Sequence, residues 1–320
     1  MMKHFLSVSD VPDISKLIAK AKAFKGSPSK DSILGAGTRI GLIFLNPSLR
    51  TRISTQLAAR NLGIEPIVFD IGQNGWQLEL EDGAVMNGSS VEHIRDAAPV
   101  LGSYFDIIGI RSFPTLSNRD ADNEERLLHQ LVKYADVPIV NLESATLHPL
   151  QSLADLLSIS EHWNFERKPK IVLTWAPHIK PLPQCVANSF SQWVNAWNKA
   201  EFVIAHPPGY ALDRRFTEGA TIVEVQEEAL RDADFVYVKN WSAYEDYGAM
   251  PTVNGDWCLT PDKLLQTRNA RVMHCLPVRR NVELSDAILD GSSSLITEQA
   301  ANRVWATQAV LHEILQNLTD

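Results

Sequence analysis

Apolar and polar positions along the chain alternate between two periods. Ile40-Gly41-Leu42-Ile43-Phe44-Leu45 is an unbroken apolar run of buried-strand length, and Ile53 to Leu62 follows with helical spacing closed by Gly63. Before them, Leu17 to Phe24 reads as a helix and Gly26 to Gly37 as a loop. Pro66 to Asp70 reads as the next strand. A polar loop with a lone aromatic, Trp76, and a Gly/Asn-rich stretch lead to Ser90. Val91 to Tyr104 carries helical spacing at Ile94, Ala97, Ala98 and Leu101, and Asp106 to Ile110 reads as a buried strand ending at Arg111. Leu127, Leu128, Leu131 and Val132 put one apolar face on a helix from Asn123 to Ala135, and Val137 to Leu142 reads as a strand.

His148-Pro149-Leu150-Gln151 opens a helix to about His162, long enough to bridge two domains, with Asn164 to Pro169 as the boundary after it. The alternation then restarts. Strands are predicted at Lys170 to Thr174, Glu201 to Ala205, Thr221 to Val225, Phe235 to Val238 and before Pro277. Helices are predicted at Cys185 to Trp197, Glu227 to Asp232 and Glu298 to Leu318. Strand–helix alternation of this kind predicts parallel sheets covered by helices. The expected fold is α/β, with two doubly wound parallel-sheet domains at residues 1–148 and 149–320, the final helix packing back on the first.

Composition narrows the chemistry. A chain of 320 residues, 45% hydrophobic and 21% charged, has apolar content for two cores. A net charge of −8 argues against broad nucleic-acid binding, so any anion site is a local basic cluster on an acidic protein. Cys185, Cys258 and Cys275 are widely spaced and suggest neither a disulfide framework nor a zinc site. Met1 to Asp10 is too polar for a signal peptide and no apolar run reaches membrane-spanning length, so a cytoplasmic protein with no membrane partner is expected.

The candidate chemistry centres on Asn46-Pro47-Ser48-Leu49-Arg50-Thr51-Arg52, a polar turn from a strand into a helix. Backbone N–H groups at a helix start and the helix dipole favour an anion. The turn adds the Ser48 and Thr51 hydroxyls and the Arg50 and Arg52 guanidinium groups, whose planar forks match phosphate oxygens. The pattern describes a phosphate cradle built without glycines. A capped helix with surface arginines has the same local pattern, so the cradle rests on convergence. Ser48 to Arg52, Arg111, Glu143, His148 and Leu276 all fall just after predicted strands, where ligands bind on parallel sheets. One site between the domains is expected.

In order and spacing, Ser48-Leu49-Arg50-Thr51-Arg52, Arg111, His148-Pro149-Leu150-Gln151 and His274-Cys275-Leu276-Pro277 resemble the carbamoyltransferase family over nearly the whole chain. The resemblance implies transfer of a carbamoyl group from carbamoyl phosphate to an amine by a homotrimer, in which Trp76 and the Val91 loop complete the neighbouring site. It implies a phosphate held by Ser48, Leu49, Arg50 and Thr51, with Arg111 bridging phosphate and carbonyl. His148 would donate to the carbamoyl oxygen, Gln151 and the carbonyls of Cys275 and Leu276 would hold the carbamoyl nitrogen, and Arg303 matches an arginine of the last helix. No metal or cofactor is needed where arginines supply the charge. The attacking amine must lose a proton, and Cys275 and the departing phosphate are both candidate acceptors.

For the acceptor, Val238-Lys239-Asn240-Trp241 stands where ornithine-using members carry Ser-Met-Gly, and Thr174 to Pro183 holds His178 and Lys180. A lysine there repels an α-ammonium and binds a carboxylate or amide oxygen. These segments resemble the branch that uses N-acylated ornithine, in which the equivalents of Glu143, His178 and Lys239, with Lys180 and Arg279, would face the acceptor. Acetyl-using members carry glutamate and succinyl-using members proline where this chain has Val91. An apolar side chain does not repel the second carboxylate of a succinyl group, so N-succinyl-L-ornithine is expected over N-acetyl-L-ornithine, in arginine biosynthesis. The proline-rich loop Lys180 to Pro183 resembles one beneath which the chain threads to form a knot. Two other classes compete. A nucleotide-dependent oxidoreductase lacks its GxGxxG here, and a noncatalytic carbamoyl phosphate-binding protein is disfavoured by an intact cradle and His148.

Overall fold

The computed structural model describes residues 2–29, 31–71 and 77–319. The chain divides into two units. The first comprises residues 1–115, 120–150 and 303–320, the second residues 116–119 and 151–302. The Asn164 to Pro169 stretch read as a boundary therefore lies wholly in the second unit. There Arg167 pairs with Asp234, a buried carboxylate that also accepts from Lys170 N.

In the first unit four strands, β1 (Arg39–Phe44), β2 (Glu65–Asp70), β5 (Ile107–Arg111) and β6 (Ile139–Glu143), form a parallel sheet in the order β2-β1-β5-β6. Strands β1, β5 and β6 are almost unbroken runs of buried residues, as parallel strands covered on both faces require. Two short strands, β3 (Leu78–Glu79) and β4 (Glu92–His93), pair with each other in a separate ribbon, so the predicted helix from Val91 begins only at Ile94.

The helices of this unit are α1 (Ile14–Gly26), α2 (Arg50–Asn61), α3 (Ile94–Tyr104) and α4 (Arg126–Tyr134). Ile94 and Ala98 of α3 and Leu128 and Leu131 of α4 pack with Ile43, Ile108, Ile110 and Ile139 from the sheet. Each fully buried side chain of this size contributes roughly 1.5–3 kcal/mol before entropy is counted.

The single helix expected from Asn123 to Ala135 is broken. Residues 119–123 form a short helix and α4 starts at Arg126, because Glu125 sits at φ +43 in the left-handed region. Its carboxylate accepts from the Thr146 amide and hydroxyl, which holds it out of the helix.

The second unit carries β7 (Lys170–Trp175), β8 (Glu201–Ala205), β9 (Thr221–Val223), β10 (Phe235–Lys239) and β11 (Arg271–Met273) in the order β11-β10-β7-β8-β9, all parallel. Its long helices are α5 (Pro149–Glu161) and α6 (Cys185–Trp197), the latter buried at ten positions, three of them polar: Asn188, Ser189 and Ser191. The last helix, α7 (Ile296–Thr319), and α5 both contain a division point between units. No helix among the described residues is long and apolar enough to cross a membrane.

Candidate functional site

The parallel register of the first unit aligns four residues at the carboxyl edge of its sheet: Asp70, Phe44, Arg111 and Glu143. From Phe44 the chain turns through Asn46 and Pro47 into α2. The N-cap position of that helix is Leu49, whose side chain accepts no backbone bond, so Ser48 lies before the helix rather than capping it. The first-turn amides of α2 are thus left open to an anion, with the positive end of the dipole behind them.

Two arginines bond to this turn, and His148 lies beside Glu143, the partner of Arg111. Arg111, buried, donates from Nη1 to the Asn46 and Pro47 carbonyls at 3.1 and 2.8 Å, and from Nε to Glu143 Oε2 at 2.9 Å. Its guanidinium stacks on the Phe113 ring at 3.9 Å, and the Phe113 amide donates to Asn46 Oδ1. Arg303 Nη2 donates to Thr51 Oγ1 at 2.8 Å. His148 Nε2 lies 3.6 Å from Glu143 Oε2. Burial first, then the positive charges of Arg303, Arg111 and Arg50, push the His148 ring well below the ordinary histidine value, so it is neutral and offers an N–H without a charge.

Arg52 is paired with Asp70 and stacked over Phe44 at 4.6 Å. The two form the charged wall of a cavity of about 250 Å³ that also touches Asn46, Pro47 and Ser48. Arg52 is paired within the fold through Nη2, and the buried Nε atoms of both Arg50 and Arg52 have no partner among the described residues.

In the second unit Lys239 ends β10. It is buried, and its Nζ donates to Asn240 O at 2.9 Å. His178 and Lys180 share a loop after β7 in which His178 Nδ1 lies 2.9 Å from Lys180 O, with Lys180 exposed. After β11 the chain makes a tight turn. Leu276 N donates to His274 Nδ1 at 2.9 Å, so the proton of that ring sits on Nε2, facing Glu283 Oε1 at 3.3 Å. Leu276 adopts φ +57, a conformation costly for a branched side chain, held by these bonds around the Cys275 and Leu276 carbonyls.

Glu283 is fully buried and also accepts from the Arg279 amide at 2.7 Å. Burial pushes its pKa up, but the His274 ring, Lys239 and that amide outweigh burial and hold it below the usual carboxylate range.

Of the expected site residues, Ser48, Leu49, Arg50, Thr51, Arg111, Glu143, His148 and Arg303 belong to the first unit, and Gln151, His178, Lys180, Lys239, Cys275, Leu276 and Arg279 to the second. Val91 belongs to the first unit and is 64% exposed, while the Arg279 side chain is solvent-facing. Trp76 lies outside the described residues. No group of three or more His, Cys, Asp or Glu among the described residues is arranged to hold a metal ion.

Two family models match the chain. Residues 3–161 match the carbamoyl-P binding domain of aspartate/ornithine carbamoyltransferase and residues 184–314 its Asp/Orn binding domain. The N-succinylornithine carbamoyltransferase of Bacteroides fragilis (strain 638R) is 44% identical, over 99% of this chain and 100% of its own length. The chain belongs to the aspartate/ornithine carbamoyltransferase family. The N-acetylornithine carbamoyltransferase of Xylella fastidiosa (strain Temecula1) is 35% identical, over 97% of this chain and 98% of its own. A crystal structure of N-acetyl-L-ornithine transcarbamylase, with one glutamate replaced by valine and complexed with carbamyl phosphate and N-succinyl-L-norvaline, superposes at a TM-score of 0.88. It is 34% identical and covers 98% of this chain and 99% of its own.

Within this carbamoyltransferase, Glu283 and Asp70 are among the charged residues that the motifs did not single out. Each anchors a motif residue, His274 and Arg52 respectively, through a contact between segments distant in sequence or folded back on themselves. Only the position of Asp70 at the end of a predicted strand hinted at its place on the site edge.

Proposed function

We propose that this chain transfers the carbamoyl group of carbamoyl phosphate to the δ-amine of N-succinyl-L-ornithine, giving N-succinyl-L-citrulline and phosphate. The observation that carries the donor half is the uncapped start of α2, with Arg111 bonded to its turn and Arg303 to its first-turn threonine. The phosphate sits on the Ser48, Leu49, Arg50 and Thr51 groups. Arg111 bridges from phosphate to carbonyl oxygen, and neutral His148 donates its N–H to that oxygen. Donors fixed where charge develops lower the barrier because they do not reorganise during reaction. The carbamoyl nitrogen donates to Gln151 and to the Cys275 and Leu276 carbonyls.

The δ-amine, free at about pKa 10.4 in water, reacts as the neutral form. Its nitrogen bonds the carbonyl carbon, the carbon–oxygen bond to phosphate breaks, and the amine proton leaves to the departing phosphate or to Cys275 as its thiolate.

The acceptor half rests on Lys239, buried at the end of β10, with His178, Lys180 and Arg279 as further cationic or donor groups for carboxylates. Glu143, bonded to Arg111, faces the acceptor with them. Val91 supports a succinyl over an acetyl group because it adds no anion. The solved relative holds N-succinyl-L-norvaline with valine in place of a glutamate, the same exchange of side chain that separates Val91 from acetyl-using members. N-acetyl-L-ornithine is the second reading, favoured by the likeness to the Xylella relative.

The protein acts as a homotrimer in the cytoplasm, with Trp76 and the Val91 loop of each subunit completing the next subunit's site. An apolar stripe along α2 supports this: Leu49, Ile53 and Leu57, four residues apart, are exposed. The second unit is knotted beneath the Lys180 to Pro183 loop. Leu182 O, which accepts from both the amide and the hydroxyl of Ser242, supports this closure.

The test is steady-state citrulline formation from carbamoyl phosphate with ornithine, N-acetyl-L-ornithine and N-succinyl-L-ornithine. The succinyl compound is expected to give the highest kcat/KM. A clear preference for the acetyl compound rejects the acceptor, and no turnover with any of the three favours a noncatalytic binder.

A further inference from the structure

Gln151 and Asp155 stand one turn apart on α5, and both are buried. Gln151 Nε2 donates to Asp155 Oδ1 at 2.8 Å, and Gln299 Nε2 donates to the same oxygen at 2.7 Å. Gln299 Oε1 in turn accepts from the His274 amide at 2.9 Å. The Tyr237 phenol lies beside this carboxylate and beside Cys275.

Asp155 Oδ1 accepts from both amide nitrogens, and a glutamine amide has one donating and one accepting end. Asp155 therefore fixes which way both amides face. Gln299 must turn its oxygen to the His274 amide, which anchors the start of the turn carrying the Cys275 and Leu276 carbonyls. Gln151 must turn its oxygen away from Asp155. That oxygen, on a side chain only 1% exposed, has no hydrogen-bond partner among the described residues. A buried acceptor left without a donor is costly and is rare in folded proteins. A ligand N–H removes that cost, and a ligand amide that turned its oxygen toward Gln151 would meet a second acceptor.

We infer that Asp155 is a positioning residue for the carbamoyl nitrogen: one buried carboxylate sorts the Gln151 amide and, through Gln299, holds the peptide carbonyls that together read an NH₂ group. The inference rests on the carbamoyl-transfer reading and adds to it the group that makes the site choose a carbamoyl over an acyl phosphate. Asp155 touches no reacting atom. It acts by keeping the Gln151 oxygen in place.

Two stable phosphonates that differ only at this point make the test: phosphonoacetamide, which carries the NH₂, and acetonylphosphonate, which carries a methyl group instead. Their dissociation constants are measured by calorimetry on the full-length protein and on Asp155→Ala and Asp155→Asn. The wild type is expected to prefer the amide. In Asp155→Ala that preference falls by roughly tenfold, the equivalent of one hydrogen bond, while acetonylphosphonate binds as before. Asp155→Asn retains an accepting oxygen and falls between the two. It carries the test alone, through a reduced preference, if the alanine variant does not fold. Equal weakening of both ligands, or an unchanged preference, overturns the positioning role. A wild type that binds the two phosphonates equally overturns the carbamoyl reading instead.

Discussion

His148 is the residue whose chemistry is most constrained by its surroundings. A neutral imidazole enclosed with three arginines donates a hydrogen bond without competing for the phosphate. Removing the donor in His148→Ala is expected to lower kcat roughly a hundredfold, the range seen when one such donor is lost. The same burial fixes a sign for stability. The folded-state pKa lies below the ordinary 6.5, so the unfolded chain binds a proton that the folded chain refuses. Stability is thus lost as pH falls through 6.5 and continues to fall until the folded-state value is reached. His4 and His312 are lowered too, chiefly by burial, and act in the same direction. Chemical denaturation at pH 7.5 and 5.5 isolates the share of His148. The wild type is expected to lose more stability on acidification than His148→Gln, and equal losses would contradict a buried neutral ring. Val91→Glu tests the acceptor end. It should shift the ratio of kcat/KM toward N-acetyl-L-ornithine by tenfold or so, about 1.4 kcal/mol of repulsion against a succinyl carboxylate, and unchanged selectivity removes the loop from the specificity argument.

At the scale of elements, the parallel strands were legible because burial on both faces leaves an apolar run that needs no partner to be recognised. Ile40 to Leu45 and Lys170 to Thr174 fall within a residue or so of β1 and β7. The break before α4 was not legible. Leu127 to Val132 keep helical spacing, and what ends the register is the Glu125 carboxylate reaching Thr146, a contact no local pattern records. Asp155 and Glu283 were missed for a related reason: a carboxylate in sequence reads as surface, and only burial reveals it as a hub. The approach of α3 to the end of α4 is equally invisible in sequence. A Cβ on Gly102 would stand 1.9 Å from Ala135 O. Gly102→Ala should therefore cost about 1–3 kcal/mol by overpacking, read as a lower midpoint in denaturant. An unchanged midpoint would mean that the two helices separate freely.

For the whole molecule, the four motifs carried family, fold and donor chemistry together: three lie at or after strands of the first sheet, whose register aligns their carboxyl ends, and the fourth follows β11 in the second unit. Assembly is a different matter, since it depends on surfaces rather than motifs. The α2 stripe was written in the helical period, but its exposure emerged only in the fold. Leu57→Asp, placed in that stripe and away from the cradle, is expected to shift sedimentation from trimer to monomer and to abolish turnover without lowering the melting temperature of the subunit by more than a few degrees. A monomeric wild type, or an active monomeric variant, would contradict a site shared between subunits. The most direct measurement of the proposed reaction follows the carbon itself. Carbamoyl phosphate labelled with ¹³C is mixed with N-succinyl-L-ornithine and the enzyme, and the products are read by NMR. The label is expected in the ureido carbon of N-succinyl-L-citrulline, one equivalent per phosphate released; label recovered only in unreacted or hydrolysed donor, with the acceptor unchanged, would contradict it.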